Sequence, residues 1–207
     1  MPWFRRLMGL SCPVCGGPLD APGVCRACRA AIVPSRVGQA IYLGRYAQLS
    51  GLVRAAKYRR NRVALVWAGE RLAAAARSVG WPVEAVTFVP TFFWRAMGRG
   101  QYPPAVLARI LSRELGVAYR PLLVRYRYTP SQTRRHDRHR LPQLFVAKPP
   151  VPKKLLLVDD VLTSGATFHR AVEALFEAGA DRVWGAFLAV VDPERLRRLP
   201  YNRPGAR

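Results

Sequence analysis

Apolar positions recur along the chain with two alternating periods. From Tyr46, "YAQLSGLVRAAKYR" places Leu49, Leu52, Val53 and Ala56 at helical spacing and predicts a helix over 46–59. "RVALVWAGERLAAAARS" is rich in Ala and Leu and predicts a longer helix from about Val63 to Ser78, stopped by Gly80-Trp81-Pro82. "AVTFVP" from Ala85 reads as a short buried strand that ends at Pro90. Pro103-Pro104 open a helix, "PPAVLARILSREL", closed by Gly116. "YRPLLVRYRY" from Tyr119 reads as a strand with its proline near the start, and "LFVA" at 144–147 as another. The apolar run 155–158 predicts a strand, followed by a helix from about Gly165 to Ala178 and a strand over 183–191. Strands alternating with helices predict an α/β fold, a parallel sheet covered on both faces.

The first 36 residues break this pattern. They hold all four cysteines, as two C-x-x-C pairs, Cys12/Cys15 and Cys25/Cys28, in "CPVCGGPLDAPGVCRACR". Each pair can turn two thiolates onto one tetrahedral ion. Gly16 and Gly17 permit a sharp turn behind the first pair, and Pro18, Pro22 and Gly23 suit a tight knuckle. A pair of disulfides would need an oxidising compartment that nothing in the chain supports. A redox role is disfavoured by the two copies and by the lack of a surrounding βαβ pattern. A structural Zn²⁺ site using Cys12, Cys15, Cys25 and Cys28 is therefore expected. The expected division is a zinc ribbon over 1–36, separable from a second domain over 37–207.

Charge changes the picture next. The 207 residues include 34 Lys or Arg against 12 Asp or Glu, a formal charge of +22. Half the residues are apolar, which excludes a disordered basic tail. Ten Lys or Arg and one acid, Asp137, fall between Arg120 and Lys154, and "RAAKYRRNR" from Arg54 adds five more in nine positions. One such run is ordinarily a solvated face. The whole balance implies self-repulsion unless polyanions are near, so nucleic acid is an expected partner. No run reaches the roughly 18 apolar residues of a membrane helix, so membrane insertion is not expected. The N-terminal residues lack the apolar core of a signal peptide, and a cytoplasmic location is expected.

Against this background "LLLVDDVLTSGATFHRAVEAL" from Leu155 stands out. Two of the 12 acids, Asp159 and Asp160, follow four apolar residues and precede Thr163, Ser164, Gly165, Ala166 and Thr167. In parallel α/β sheets ligands bind beyond the carboxyl ends of strands. A helix beginning near Gly165 would aim its N–H groups at the turn, and the hydroxyls would supplement them for a phosphate. Helix capping would account for one acid and one hydroxyl, not the whole array. The order, acids first and phosphate cradle second, differs from a Walker loop. Acids beside a phosphate cradle suit a sugar phosphate, with carboxylates on the ribose hydroxyls.

"LLLVDDVLTSGAT" resembles the phosphoribosyl pyrophosphate (PRPP) motif of type I phosphoribosyltransferases. With the cysteine knuckle, Lys57-Tyr58, Val89-Pro90, Arg99-Gly100, "TPSQ" and "RHRLPQLF", the chain resembles the competence protein F (ComF) family. It departs from that family at "RGQYPP", where Asn-Gln is usual, and at Leu141, where Asn is usual. The resemblance implies a type I phosphoribosyltransferase fold with an N-terminal zinc ribbon. It implies binding of PRPP or a nucleoside monophosphate with Mg²⁺, and Asp159 and Asp160 as catalytic residues if pyrophosphate is displaced. Arg95, Arg99, Arg134, Arg135 and Arg138 are the candidates for neutralising pyrophosphate. His136, His139 and His169 are expected to face solvent. The resemblance also implies handling of single-stranded DNA in natural transformation, beside a competence helicase or other DNA-uptake protein. Tyr126 and Tyr128, between arginines, suit either strand packing or base stacking. The alternative is an active phosphoribosyltransferase of nucleotide salvage with no DNA role.

Overall fold

The computed structural model describes residues 10–58, 61–91, 102–125 and 144–205. Within them the first element is the short helix α1 (Arg26–Ala31). Strands β1 (Ser35–Val37) and β2 (Ala40–Arg45) follow, then helices α2 (Tyr46–Tyr58) and α3 (Arg62–Val79). β3 (Ala85–Phe88), α4 (Pro103–Leu115) and β4 (Ala118–Tyr119) come next. They are followed by β5 (Leu123–Arg125), β6 (Phe145–Ala147), β7 (Lys154–Leu162), α5 (Ala166–Glu177) and β8 (Arg182–Val190). A 3-10 helix, Pro193–Arg198, closes the order.

Six strands form one sheet in the order β1-β2-β8-β7-β3-β4. All neighbours are parallel except the edge pair β1–β2, a hairpin turned through Gly38 at φ 57°. The expected parallel sheet flanked by helices is present. Its central strands read as unbroken apolar runs because both faces are covered. One face packs under α2, α3 and α4, with Leu52, Leu65, Leu107, Leu156 and Trp184 in its core. The other packs under α5 and the 3-10 helix, with Leu157, Phe168, Leu175, Phe187 and Leu196.

Helix ends obey local chemistry. Asn61 caps α3 by accepting from the Ala64 N–H at 3.0 Å. α3 and α4 stop at Gly80 and Gly116, both left-handed, where a side chain would be strained.

Two features differ from the sequence expectation. β2 has no counterpart among the expected elements; its run "AIYLGR" pairs with β8 from Ala40↔Gly185 to Arg45↔Val190. The strand expected from Tyr119 is divided. β4 stays on the main sheet, while β5 pairs antiparallel with β6 in a separate two-stranded sheet. Pro121 lies at the break and has no N–H to continue a ladder, and the Leu122 N–H turns instead to the buried Thr87 hydroxyl at 3.2 Å.

The cysteine segment packs onto the rest of the chain. Cys12, Val24 and Ile32 are buried in the same core as α2 and α3, with Cys12 only 2 % exposed. Arg71 of α3 donates to the Ile32 carbonyl at 3.2 Å. The boundary expected after residue 36 falls inside β1. The segment has too little apolar mass for its own core and borrows that of the sheet domain.

Candidate functional site

Strand β7 carries the acid pair. Pairing with β8 continues past the expected end at 158, to Leu162↔Val190, so Asp159 and Asp160 lie within the strand and the turn proper is Thr163-Ser164-Gly165. Before the acids, Leu155 and Leu157 face α5 while Leu156 and Val158 face α2–α4. After them the alternation inverts, with Val161 packed on the α2–α4 side and Leu162 on the α5 side. β8 inverts alongside it at Ala189 and Val190. This local irregularity lets two adjacent acids serve one cavity.

The two acids are held differently. Asp160 Oδ1 accepts from the Val161 N–H at 2.7 Å, and its Oδ2 lies 2.6 Å from the Lys57 ammonium at the end of α2. Asp159 Oδ1 accepts from the Asp160 N–H at 2.8 Å. Burial pushes the Asp159 carboxyl well above the ordinary carboxylate range, and the charge of Asp160 adds to this. The Asp160 N–H, Lys57 and Arg125 pull the other way. A hydroxyl donor or a cation beside Asp159 would offset part of that burial cost.

The turn at Thr163-Ser164-Gly165 leads into α5. Gly165 caps α5 at φ 86° and offers no side chain to its first-turn N–H groups. The Ser164 hydroxyl accepts from the Ala166 N–H at 3.4 Å. Arg195 donates to the Thr163 carbonyl at 2.7 Å, and a Cβ at Gly165 would come within 3.0 Å of Leu199. The segment after β8 thus braces the turn from behind.

A cavity of about 210 Å³ joins these parts. Of the turn residues singled out in the sequence, Asp159, Asp160, Thr163, Gly165 and Thr167 line it; Ser164 and Ala166 do not. Lys57, Thr91, Tyr102 and Arg125 also line it, and none of them is among the site residues the sequence points to. The Tyr102 hydroxyl donates to the Val89 carbonyl at 2.5 Å, fixing the wall beyond β3. Lys57 belongs to the Lys57-Tyr58 pair noted above, but no sequence pattern shows that a helix end would meet Asp160. Arg95, Arg99, Arg134, Arg135, Arg138, Tyr126, Tyr128, His136, His139 and Leu141 lie outside the described residues. His169 is half exposed and lies 3.6 Å from Glu173 one turn on, in keeping with a solvent-facing role.

The donor set suits Mg²⁺ in one way only. Two carboxylates are too few for a dedicated cage, but Mg²⁺ is commonly shared between one or two carboxylates and a ligand's phosphates. Asp159 and Asp160 would hold it, and bound there it would neutralise phosphate charge.

At the N-terminus the sulfurs of Cys12, Cys15, Cys25 and Cys28 all lie within 4.8 Å of one another. Those of Cys15 and Cys25 are 3.8 Å apart, close to the edge of a tetrahedron with Zn–S bonds of about 2.3 Å. The N–H groups of Gly17 and Cys28 point at the Cys15 and Cys25 sulfurs, each at 3.4 Å. Burial opposes ionising Cys12, but the backbone N–H groups of Cys25, Cys15 and Val14 outweigh it and lower the thiol to about 7. Burial pushes the Cys28 thiol up, helped by Cys25, Cys15 and the charge of Cys12. The cluster fits a metal such as zinc.

Fold and site together define a mixed α/β protein with a polar cavity at the carboxyl ends of its parallel strands. Solved structures similar to it include the allosteric regulatory enzyme of purine biosynthesis, at 20 % identity and a TM-score of 0.46 over 65 % of this chain and 30 % of that one. Glutamine PRPP amidotransferase from B. subtilis, complexed with ADP and GMP, gives 23 % identity and 0.46 over the same shares. Adenine phosphoribosyltransferase from Leishmania tarentolae gives 11 % and 0.44 over 79 % of this chain and 98 % of that one. The chain spans less than a third of the length of the first two. No protein-family model and no curated protein matches it. No helix among the described residues is long and apolar enough to cross a membrane.

Proposed function

We propose that the chain is a phosphoribosyltransferase-like protein whose cavity binds a 5-phosphorylated ribose, PRPP or a nucleoside monophosphate, together with Mg²⁺. One observation carries this reading: Asp159, Asp160, Thr163, Gly165 and Thr167 line a single cavity. The acids accept from the ribose hydroxyls, and the first turn of α5 receives the 5-phosphate. In a displacement of pyrophosphate the developing positive charge on the ring would sit beside the same acids. The resemblance to the competence protein F family and the charge of +22 support a wider role in handling single-stranded DNA during natural transformation, alongside a DNA-uptake protein. Titration calorimetry with PRPP and with nucleoside monophosphates, each with Mg²⁺, tests the binding. The expected result is saturable binding in the micromolar-to-millimolar range. Heat-silent titrations of folded protein with both ligands would reject it. Product formation across the common bases would instead favour the salvage transferase.

A further inference from the structure

Helix α2 touches both the cysteine cluster and the acid pair. A Cβ added at Gly51 would collide with the carbonyl oxygen of Pro13, which lies between Cys12 and Cys15. Glycine thus lets the first cysteine turn rest directly on the helix backbone. Cys12 and Val24 share a core with Leu49, Leu52, Val53 and Ala56 of the same helix. Six residues beyond Gly51, about 9 Å of helical rise, Lys57 meets Asp160 at 2.6 Å. Asp160 is then clamped on two sides, by Lys57 at Oδ2 and by the Val161 N–H at Oδ1. A carboxylate so fixed keeps its remaining lone pairs aimed for a ribose hydroxyl.

We propose that α2 couples metal occupancy of the cysteine cluster to the affinity of the cavity, with Lys57 as the positioning residue for Asp160. The inference rests on the cavity being a ribose-phosphate site. A metal ties four cysteines into one knuckle that has little core of its own. With the metal, Pro13 is held against Gly51 and α2 is seated. Without it the knuckle loosens, the closely packed helix shifts as a unit, and its last turn carries Lys57 off Asp160. Coupling between two sites is reciprocal, so ligand in the cavity tightens metal binding by the same factor.

The test compares the parent with Lys57→Met, which keeps most of the side-chain length and removes the charge. Ribose 5-phosphate affinity is measured by calorimetry on zinc-loaded protein, after chelation, and after zinc is restored. The parent is expected to lose about tenfold in affinity on chelation and to regain it with zinc. Zinc-loaded Lys57→Met is expected to bind more weakly than the parent, with no further loss on chelation. An equal loss in both proteins makes the metal merely structural and overturns the proposal, as does no loss in the parent. Where circular dichroism shows the stripped chain unfolding, transfer of zinc to a chelating dye from loaded protein decides. Ribose 5-phosphate should slow that transfer in the parent and not in Lys57→Met; equal slowing overturns the link. Zinc-loaded parent that binds no ribose 5-phosphate overturns the underlying reading as well.

Discussion

The guanidinium of Arg195 donates to the carbonyl of Thr163 at 2.7 Å, so the 163–165 turn is held by a residue beyond β8. Arg195→Ala removes one charge-assisted hydrogen bond from a half-exposed position. It is expected to cost roughly 0.5–1.5 kcal/mol of ribose 5-phosphate affinity by letting the turn relax, with a smaller effect on folding. Calorimetry set beside urea denaturation separates the two. A variant that binds as well as the parent would show that the turn holds its shape unaided.

Gly165 is constrained twice, by its φ of 86° and by the Leu199 side chain, which would lie 3.0 Å from an added Cβ. Gly165→Ala is expected to destabilise the fold by about 1–2 kcal/mol from the left-handed backbone alone. Urea midpoints unchanged within error would contradict this.

The raised pKa of Asp159 makes stability depend on pH in a definite direction. Folding favours its protonated form, because the folded pKa lies above the unfolded value of about 3.9. That contribution is complete below about pH 4 and is lost as pH rises through the folded pKa. Asp159→Asn cannot ionise, so its stability relative to the parent should grow with pH across this window. Ligand binding with Mg²⁺ should tighten in the parent over the same window, because the cation favours the carboxylate. Paired denaturation curves at about pH 4 and about pH 7.5 check the first statement. An asparagine variant that falls behind the parent as pH rises would refute it.

The cysteine cluster should hold one zinc per chain with Zn–S distances near about 2.3 Å, checked by metal analysis and X-ray absorption of reduced protein. Cys12 lies 2 % exposed in the main core. Cys12→Ser should therefore destabilise the sheet domain along with the knuckle, rather than leave the sheet intact as a separable ribbon would. Thermal unfolding of the sheet at the parent temperature would favour the two-module picture.

The proposed DNA role rests on charge. Single-stranded DNA should bind with a steep salt dependence, each neutralised phosphate contributing roughly −0.7 to the slope of log K against log salt. Changing Arg134, Arg135 and Arg138 to Ala together should reduce that slope by about two if all three touch phosphates. Removing Asp159 and Asp160 should leave DNA affinity unchanged or slightly higher. A triple variant with the parent's slope would take this segment out of the DNA site.

The acid pair and the hydroxyl turn are legible in the sequence because the elements are contiguous: an apolar strand, two acids, a glycine and an amphipathic helix occupy 23 consecutive positions from Leu155 to Glu177. The cysteine spacing is legible because a tetrahedral ion imposes it. What escapes a sequence reading depends on contacts distant along the chain. Lys57 reads as part of a basic run until α2 is laid across the sheet. Arg195 reads as one charge among several in "DPERLRR". The docking of the cysteine segment is hidden because Gly51, inside a helical pattern, gives no sign that Pro13 rests on it. β2 is hidden because its short apolar run sits between a turn glycine and a helix, and only pairing with β8 makes it a strand.

A crystal structure of the zinc-loaded protein with Mg²⁺ and ribose 5-phosphate tests the central claim most directly. The account predicts ribose hydroxyls on the carboxylates of Asp159 and Asp160, with the phosphate at the 163–167 turn against the N–H groups of α5. Ligand density elsewhere, or a phosphate on the acid pair with the turn empty, would contradict it.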